Sequence, residues 1–192
     1  MSKIKALIES KKHVYIHNDL GNCTYYFKNR FDAWRDEEGI SLEIMAGLTM
    51  LAFTIEARMN FLGSKLLKDW NEKNALKDKA KKLSNHLGLE ANFGQEPFST
   101  LKLLKEFRDC LAHGKPLVQD ELKEVVATHE ELEQFKTLEA GWEKFVTVEF
   151  FNLAYEHTKQ IWEELLEAAQ IEVFETVTHG EIHMTFLAHV DE

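Results

Sequence analysis

Few chain-breaking residues and few cysteines restrict what this sequence can form. It has only two prolines and nine glycines in 192 residues, so long helices meet few interruptions. Cys23 and Cys110 are too few for a disulfide framework or a cysteine-rich zinc site. We expect Cys110 to be a small buried residue, with a nucleophile as the alternative. With 44% hydrophobic and 29% charged residues, residues 1–192 are predicted to form one folded domain.

Targeting segments and several catalytic motifs are missing. The first twelve residues contain four lysines and lack the apolar core of a signal peptide, and no later stretch reaches membrane-spanning length without charges. We therefore predict a cytoplasmic protein without membrane contacts. There is no Gly-rich phosphate loop, nucleophile elbow or dinucleotide-binding fingerprint, which disfavours the enzyme classes that depend on those motifs.

Positive charge is scarce overall but concentrated in the middle of the chain. The formal net charge of −10 argues against broad nonspecific binding of nucleic acid. Residues 61–115 nevertheless carry eleven Lys/Arg against seven Asp/Glu, whereas residues 116–192 carry four against eighteen. A phosphate backbone would be attracted to the middle segment, and a solvated lysine face of an amphipathic helix is the alternative interpretation.

Hydrophobic periodicity predicts an all-α fold, a bundle of four to six helices with a small C-terminal hairpin. The segment from 41 to about 70 is apolar around most of its circumference, so it should lie at the centre of a bundle or between the bundle and a partner. Further helices are predicted in the second half of 15–38 and over 75–88, 100–114, 120–135 and 147–171. Residues 172–192 alternate with the β period, and we predict that they form the hairpin, turning at His179-Gly180.

The most informative segment is 106–115, which reads Glu-Phe-Arg-Asp-Cys-Leu-Ala-His-Gly-Lys. Asp109 and His113 are four residues apart, so they share one face of a helix and the carboxylate can hold the imidazole. Arg108 lies roughly 140° round an ideal helix from His113. The two side chains therefore converge only if the helix unwinds at Gly114 or if a second copy of the chain faces the first.

This segment resembles the Arg-x4-His signature of HEPN domains, in which a polar residue follows the arginine and the histidine ends the helix. The resemblance implies a HEPN-like bundle over about 14–170 and a homodimer whose Arg–His pairs line one cleft. It also implies a metal-independent endoribonuclease without a cofactor, which makes RNA the substrate. A role as a toxin or defence effector would add an antitoxin protein as a further partner.

The same resemblance assigns roles to Arg108 and His113. His113 would take the proton from a ribose 2′-hydroxyl or deliver one to the leaving 5′-oxygen, while Arg108 stabilises the charge that develops on the phosphate. The products would be a 2′,3′-cyclic phosphate and a 5′-hydroxyl. Lys102, Lys105 and Lys115 would position phosphates without reading sequence.

Glu56 lies in the middle of the long apolar segment. A buried carboxylate is costly unless it is paired, so we predict an ion pair with Arg108 and include Glu56 in the site. The alternative is an exposed Glu56 beside Arg58.

Other interpretations of these residues stay open. Arg108, Asp109 and His113 could form a helix-end salt-bridge cluster, or the domain could be a catalytically silent module that binds a nucleotide or a protein. A helical scaffold whose acidic last third docks a basic partner is a third possibility. His179, Glu181 and His183 could share a strand face as metal ligands, although no fourth ligand is evident. His157 is expected to be a hydrogen-bonded core residue.

Overall fold

A computed structural model of the chain describes residues 3–33, 39–116, 118–133, 138 and 140–190. These residues form six α-helices, two short 3-10 helices and two β-strands. The helices are α1 (Ile16–Asp32), α2 (Ile40–Leu66), α3 (Leu76–His86), α4 (Phe98–Ala112), α5 (His129–Glu133) and α6 (Val148–Ala169). The strands are β1 (Lys3–His13) and β2 (His179–Val190). The described chain is therefore mostly helical, as the sequence predicts.

Helix α2 is the centre of the bundle, where it packs against α1, α3, α4 and α6. Leu48, Ile55, Met59 and Leu62 on this helix are completely buried. Each such side chain stabilises the fold by about 1.5–3 kcal/mol through removal of apolar surface from water. Packing within the bundle thus accounts for much of the apolar character of α2, although Leu42 and Phe53 remain 71% and 42% exposed.

Length and composition alone would also let α2 cross a membrane, and it is the only helix among the described ranges with that property. The core helix of a globular bundle meets the same criteria. Helix α2 packs against four other helices, and this position in the bundle agrees with its apolar composition.

Two helix ends follow the signals in the sequence. Helix α6 begins after Thr147, whose Oγ1 accepts a hydrogen bond from the Phe150 backbone N–H at 3.0 Å. Helix α4 ends at Ala112, so that His113 is its C-cap and Gly114 follows. By contrast, α1 extends beyond the predicted second half of 15–38: it begins at Ile16, runs unbroken through Gly21-Asn22 and packs against α2.

The predicted acidic helix over 120–135 is wrong for most of its length. Only His129–Glu133 is helical, residues 120–128 have no regular structure, and residues 134 and 135 lie outside the described ranges. No residue of α5 is buried. Because short helices are marginal in water without tertiary packing, acidic residues with no buried face do not extend this one.

The predicted small antiparallel β element is present, but it is not a hairpin within residues 172–192, because only one of its two strands lies there. Residues Val173–Thr176 are a 3-10 helix, and His179-Gly180 begins β2 instead of turning. Strand β2 pairs antiparallel with β1, so that Lys3 lies opposite Val190 and His13 opposite His179. The two ends of the described chain therefore form one two-stranded ribbon.

Candidate functional site

A shallow surface groove of about 500 Å³ runs along the last turns of α4. It is lined by Lys102, Lys105, Glu106, Asp109, Cys110 and His113. Leu104 and Phe107 of the same helix are completely buried on the opposite side. Cys110 lies on the groove side of α4 and is exposed, so the expectation that it is buried was wrong. Sequence spacing that places Leu104 and Phe107 in the core leaves Cys110 facing water.

Asp109 is surrounded by positive charge. Its Oδ1 lies 3.2 Å from Arg108 Nη1, and its Oδ2 accepts a hydrogen bond from Lys105 Nζ. Partial burial raises the pKa of Asp109, but the hydrogen bond from Lys105 and the charges of Arg108, Lys105 and His113 outweigh it and hold the pKa below the usual range. Asp109 is thus an anion at neutral pH beside His113.

His113 leaves the helix at the point where the groove opens. Its backbone N–H still donates to Asp109 O at 3.0 Å, but φ −119° and ψ 20° are no longer helical. The imidazole is exposed and lines the groove. A histidine in this position can reach a bound molecule while its backbone is held by the helix.

Glu56 joins α2 to both α3 and α4. Its Oε2 lies 3.5 Å from Arg108 Nη2, which confirms the predicted pair, but the shorter contact is with Lys79, whose Nζ donates to Oε1 at 2.8 Å. The side chain of Lys79 is fully buried, whereas that of Glu56 is 30% exposed. Arg58, the alternative neighbour, lies over the Trp162 ring instead.

Sequence reasoning missed Lys79, although a signal was present. The buried residues Leu76, Ala80 and Leu83 define the apolar stripe of α3 at helical spacing. Position 79 falls on that stripe, so a lysine there must be buried. A buried ammonium requires a carboxylate, and Glu56 is the carboxylate that it meets.

The result is a row of alternating charges, Lys79–Glu56–Arg108–Asp109–Lys105. Arg108 is not part of the groove lining, but it contacts Asp109, which is, and it is held by the carboxylates of Glu56 and Asp109. Of the three predicted phosphate-binding lysines, Lys102 and Lys105 line the groove. Lys115 is exposed just past the helix cap, outside the groove lining.

Family models, curated proteins and solved structures give no match for this chain.

The alternative metal site at His179, Glu181 and His183 does not form a cluster of ligands. No group of three or more His, Cys, Asp or Glu side chains in the described part of the chain is placed to hold a metal ion. His183 Nε2 lies 3.8 Å from Glu181 Oε2, and His179 stacks on His13 with ring centroids 4.7 Å apart. His157 has the expected core role, since its Nδ1 lies 2.8 Å from Thr100 Oγ1.

A second cavity, of about 460 Å³, lies where β1 joins α1, and His17 is one of its lining residues. His17 is 4% exposed and packs against the rings of Phe61 and Trp162. Burial, aided by the charge of Arg58, lowers the pKa of His17 to about 4, and a hydrogen bond with the Thr176 backbone opposes this only in part.

Acid should therefore destabilise the fold through His17. Since the pKa is about 4 in the folded chain and 6.5 when His17 is unperturbed, the unfolded chain takes up the proton first as pH falls. The free energy of unfolding should drop by about 2–3 kcal/mol between neutral pH and the folded pKa. Urea unfolding of the wild type and of His17→Gln at neutral pH and near pH 4 measures this change in the free energy of unfolding. An equal pH dependence of the two proteins would contradict it.

Proposed function

We propose that this protein is a metal-independent endoribonuclease of the HEPN type. The observation that carries the proposal is the placement of an exposed His113 beside anionic Asp109, in a groove that Lys102 and Lys105 also line. Arg108 contacts Asp109 of the groove lining, with Nη1 3.2 Å from Oδ1. An imidazole for proton transfer, with cations for a phosphate, is the set of groups that cleavage by a ribose 2′-hydroxyl requires.

The side chains divide this reaction between them. His113 removes the proton from the 2′-hydroxyl or protonates the leaving 5′-oxygen, and Asp109 stabilises the imidazolium in either case. Lys102 and Lys105 attract the phosphates on either side of the scissile bond, with Lys115 as a third, more distant cation. The products are a 2′,3′-cyclic phosphate and a 5′-hydroxyl.

Arg108 remains available to the reacting phosphate even though it is paired. Its two ion pairs, with Glu56 and Asp109, use Nη2 and Nη1. A guanidinium has five N–H donors, so hydrogen bonds remain for phosphate oxygens. The two carboxylates fix the direction of the guanidinium, which reduces the reorganisation needed when charge develops on the phosphate.

The chemistry favours two copies of the site. The attacking and leaving oxygens stand on opposite sides of the phosphorus, and one imidazole cannot contact both at once. A homodimer in which each protomer contributes Arg108 and His113 to one cleft would supply both an acid and a base. The same proposal places the protein in the cytoplasm, where RNA is its substrate.

Cleavage of RNA in excess EDTA tests this function. Single-stranded or loop RNA should be cut, and DNA of the same sequence should stay intact, because the attacking group is the 2′-hydroxyl. An RNA with a single 2′-deoxy nucleotide should resist cleavage only at that position. Activity that is lost on chelation, or products with a 3′-hydroxyl, would contradict the mechanism.

A catalytically silent module is the second candidate, favoured by the ion pairs that already occupy Arg108 and Lys105. In that case the groove would bind a nucleotide phosphate or a protein partner such as an antitoxin. Expression in a host cell separates the two. A toxin or defence nuclease should slow growth, whereas His113→Ala should not, and a silent module should show no difference between the two forms.

A further inference from the structure

The β1–β2 ribbon has one apolar and one polar face. In an antiparallel pair, directly opposite residues lie on the same face, and alternate residues along a strand share it. The register therefore collects six apolar side chains on one side, here called the apolar face: Ile4, Ala6, Ile8, Ile182, Met184 and Phe186. Ser10, Lys12 and His189 lie on the same side, toward its two ends. The other side, the polar face, holds mainly charged residues and histidines, including Glu9, Lys11, Glu181 and His183.

The apolar face is open to water. Ile8, Ile182 and Met184 are 60%, 73% and 66% exposed, and Ile4 and Phe186 are more than half exposed. The ribbon packs chiefly within itself. It is tied to the bundle at its base, where the Tyr15 N–H donates to Thr178 Oγ1 at 2.9 Å. None of the helices has a packing interface with the strands among the described residues that would cover this face.

A ribbon of two strands is marginally stable in water by itself, and further strands or a packed face are needed to stabilise it. An exposed apolar patch of several hundred Å² is also characteristic of an interaction surface. Edge-to-edge pairing of ribbons would leave the apolar face exposed. Only a partner stacked on the face removes these side chains from water.

A second copy of the chain fits this surface in composition and in size. Between Ile4 and Ile8 and between Ile182 and Phe186 the apolar face carries no charged side chain, and its one lysine, Lys12, lies at the end nearest the bundle. Two identical faces can therefore meet across a two-fold axis without like-charge contacts at their centre. A half-exposed phenylalanine offers on the order of 100 Å², and five side chains of about that size give roughly 500 Å² per copy. Complete burial of both faces would then remove about 1,000 Å² from water, which reaches the lower limit expected of a biological interface.

We propose that two copies of this chain associate by stacking the apolar faces of their β1–β2 ribbons. Four strands then enclose Ile8, Ile182, Met184 and Phe186 of each copy, and the lysines of the polar face stay in water. This dimer does not rest on the ribonuclease function. A monomer that cleaves RNA would contradict the ribbon dimer and the two-copy cleft but not RNA cleavage itself, and a ribbon dimer that cleaves nothing would contradict the enzyme alone.

Light scattering with size-exclusion chromatography across the micromolar range tests the dimer. The wild type should be a dimer, and Ile8→Glu should weaken association by at least about tenfold, because it places a charge in the stacked apolar layer. Leu7→Glu is the matched control, since Leu7 is the adjacent residue on the polar face and is 49% exposed. It should remain dimeric.

Two further measurements keep the test decisive. Helical circular dichroism shows whether the bundle remains folded in each variant, and Ile182→Thr with Met184→Thr keeps strand propensity if Ile8→Glu does not fold. A monomeric wild type overturns the proposal, and so does a monomer that binds lipid vesicles through the ribbon. A dimer that survives both apolar-face variants, or one that Leu7→Glu disrupts equally, overturns it as well.

Discussion

Replacement of His113 by alanine should reduce RNA cleavage by about 100-fold or more, the effect of removing a proton-transfer group. The imidazole lies at the exposed end of α4, where its loss should leave the core intact. His86→Ala is the matched control, because His86 is an exposed histidine at the end of another helix, α3. Its cleavage rate should equal that of the wild type.

Arg108→Ala should lower the cleavage rate to a similar degree by removing the group that stabilises charge on the phosphate. Arg108→Lys should recover only part of the rate, since an ammonium keeps the charge but not the planar fork. Cys110→Ser should have no effect, because the mechanism gives the thiol no role. Single-turnover rates on a defined RNA measure all of these variants. Cleavage that persists in His113→Ala would place the active site elsewhere.

The second large effect is expected at Glu56 and concerns stability. Glu56→Gln would leave the fully buried Lys79 ammonium without its carboxylate, which should lower the free energy of unfolding by about 3 kcal/mol. Lys79→Met should cost less, because methionine fills the same space and Glu56 stays partly exposed with Arg108 as its partner. Urea unfolding measures both changes. Glu106→Gln is the control, since its ion pair with Lys144 is exposed and should contribute less than about 1 kcal/mol.

Combining both substitutions in one protein tests directly whether Glu56 and Lys79 stabilise the fold as a pair. Glu56→Gln combined with Lys79→Met removes the stranded ammonium, so it should be more stable than Glu56→Gln alone. A double variant that shows the sum of the two single losses would mean that Glu56 and Lys79 contribute independently. The contact at 2.8 Å would then have little energetic weight.

The sequence predicted those helix ends that depend only on residues close to them in the chain. Thr147 caps α6, and α4 ends just before His113-Gly114, because a helix end depends on its own cap and on the next residue. The pair between Glu56 and Arg108 was also predicted, since the cost of burying a carboxylate does not depend on the details of the fold.

Features that depend on distant residues were not predicted. Strand β1 alternates apolar and polar side chains, but its partner lies at the other end of the chain, and periodicity carries no information about pairing partners. Residues 120–128 have good helix formers and no core to pack against. Lys79 was missed because its carboxylate belongs to a different helix.

The pairing of the two chain ends also has a consequence for synthesis. Strand β1 is synthesised before the six helices described above and β2 after them, so β1 has no partner strand while these helices are made. An unpaired apolar strand is a template for association with other nascent chains. The lysines that alternate with the apolar residues at positions 3 and 5, and those at 11 and 12, place repelling charges along that strand during the delay.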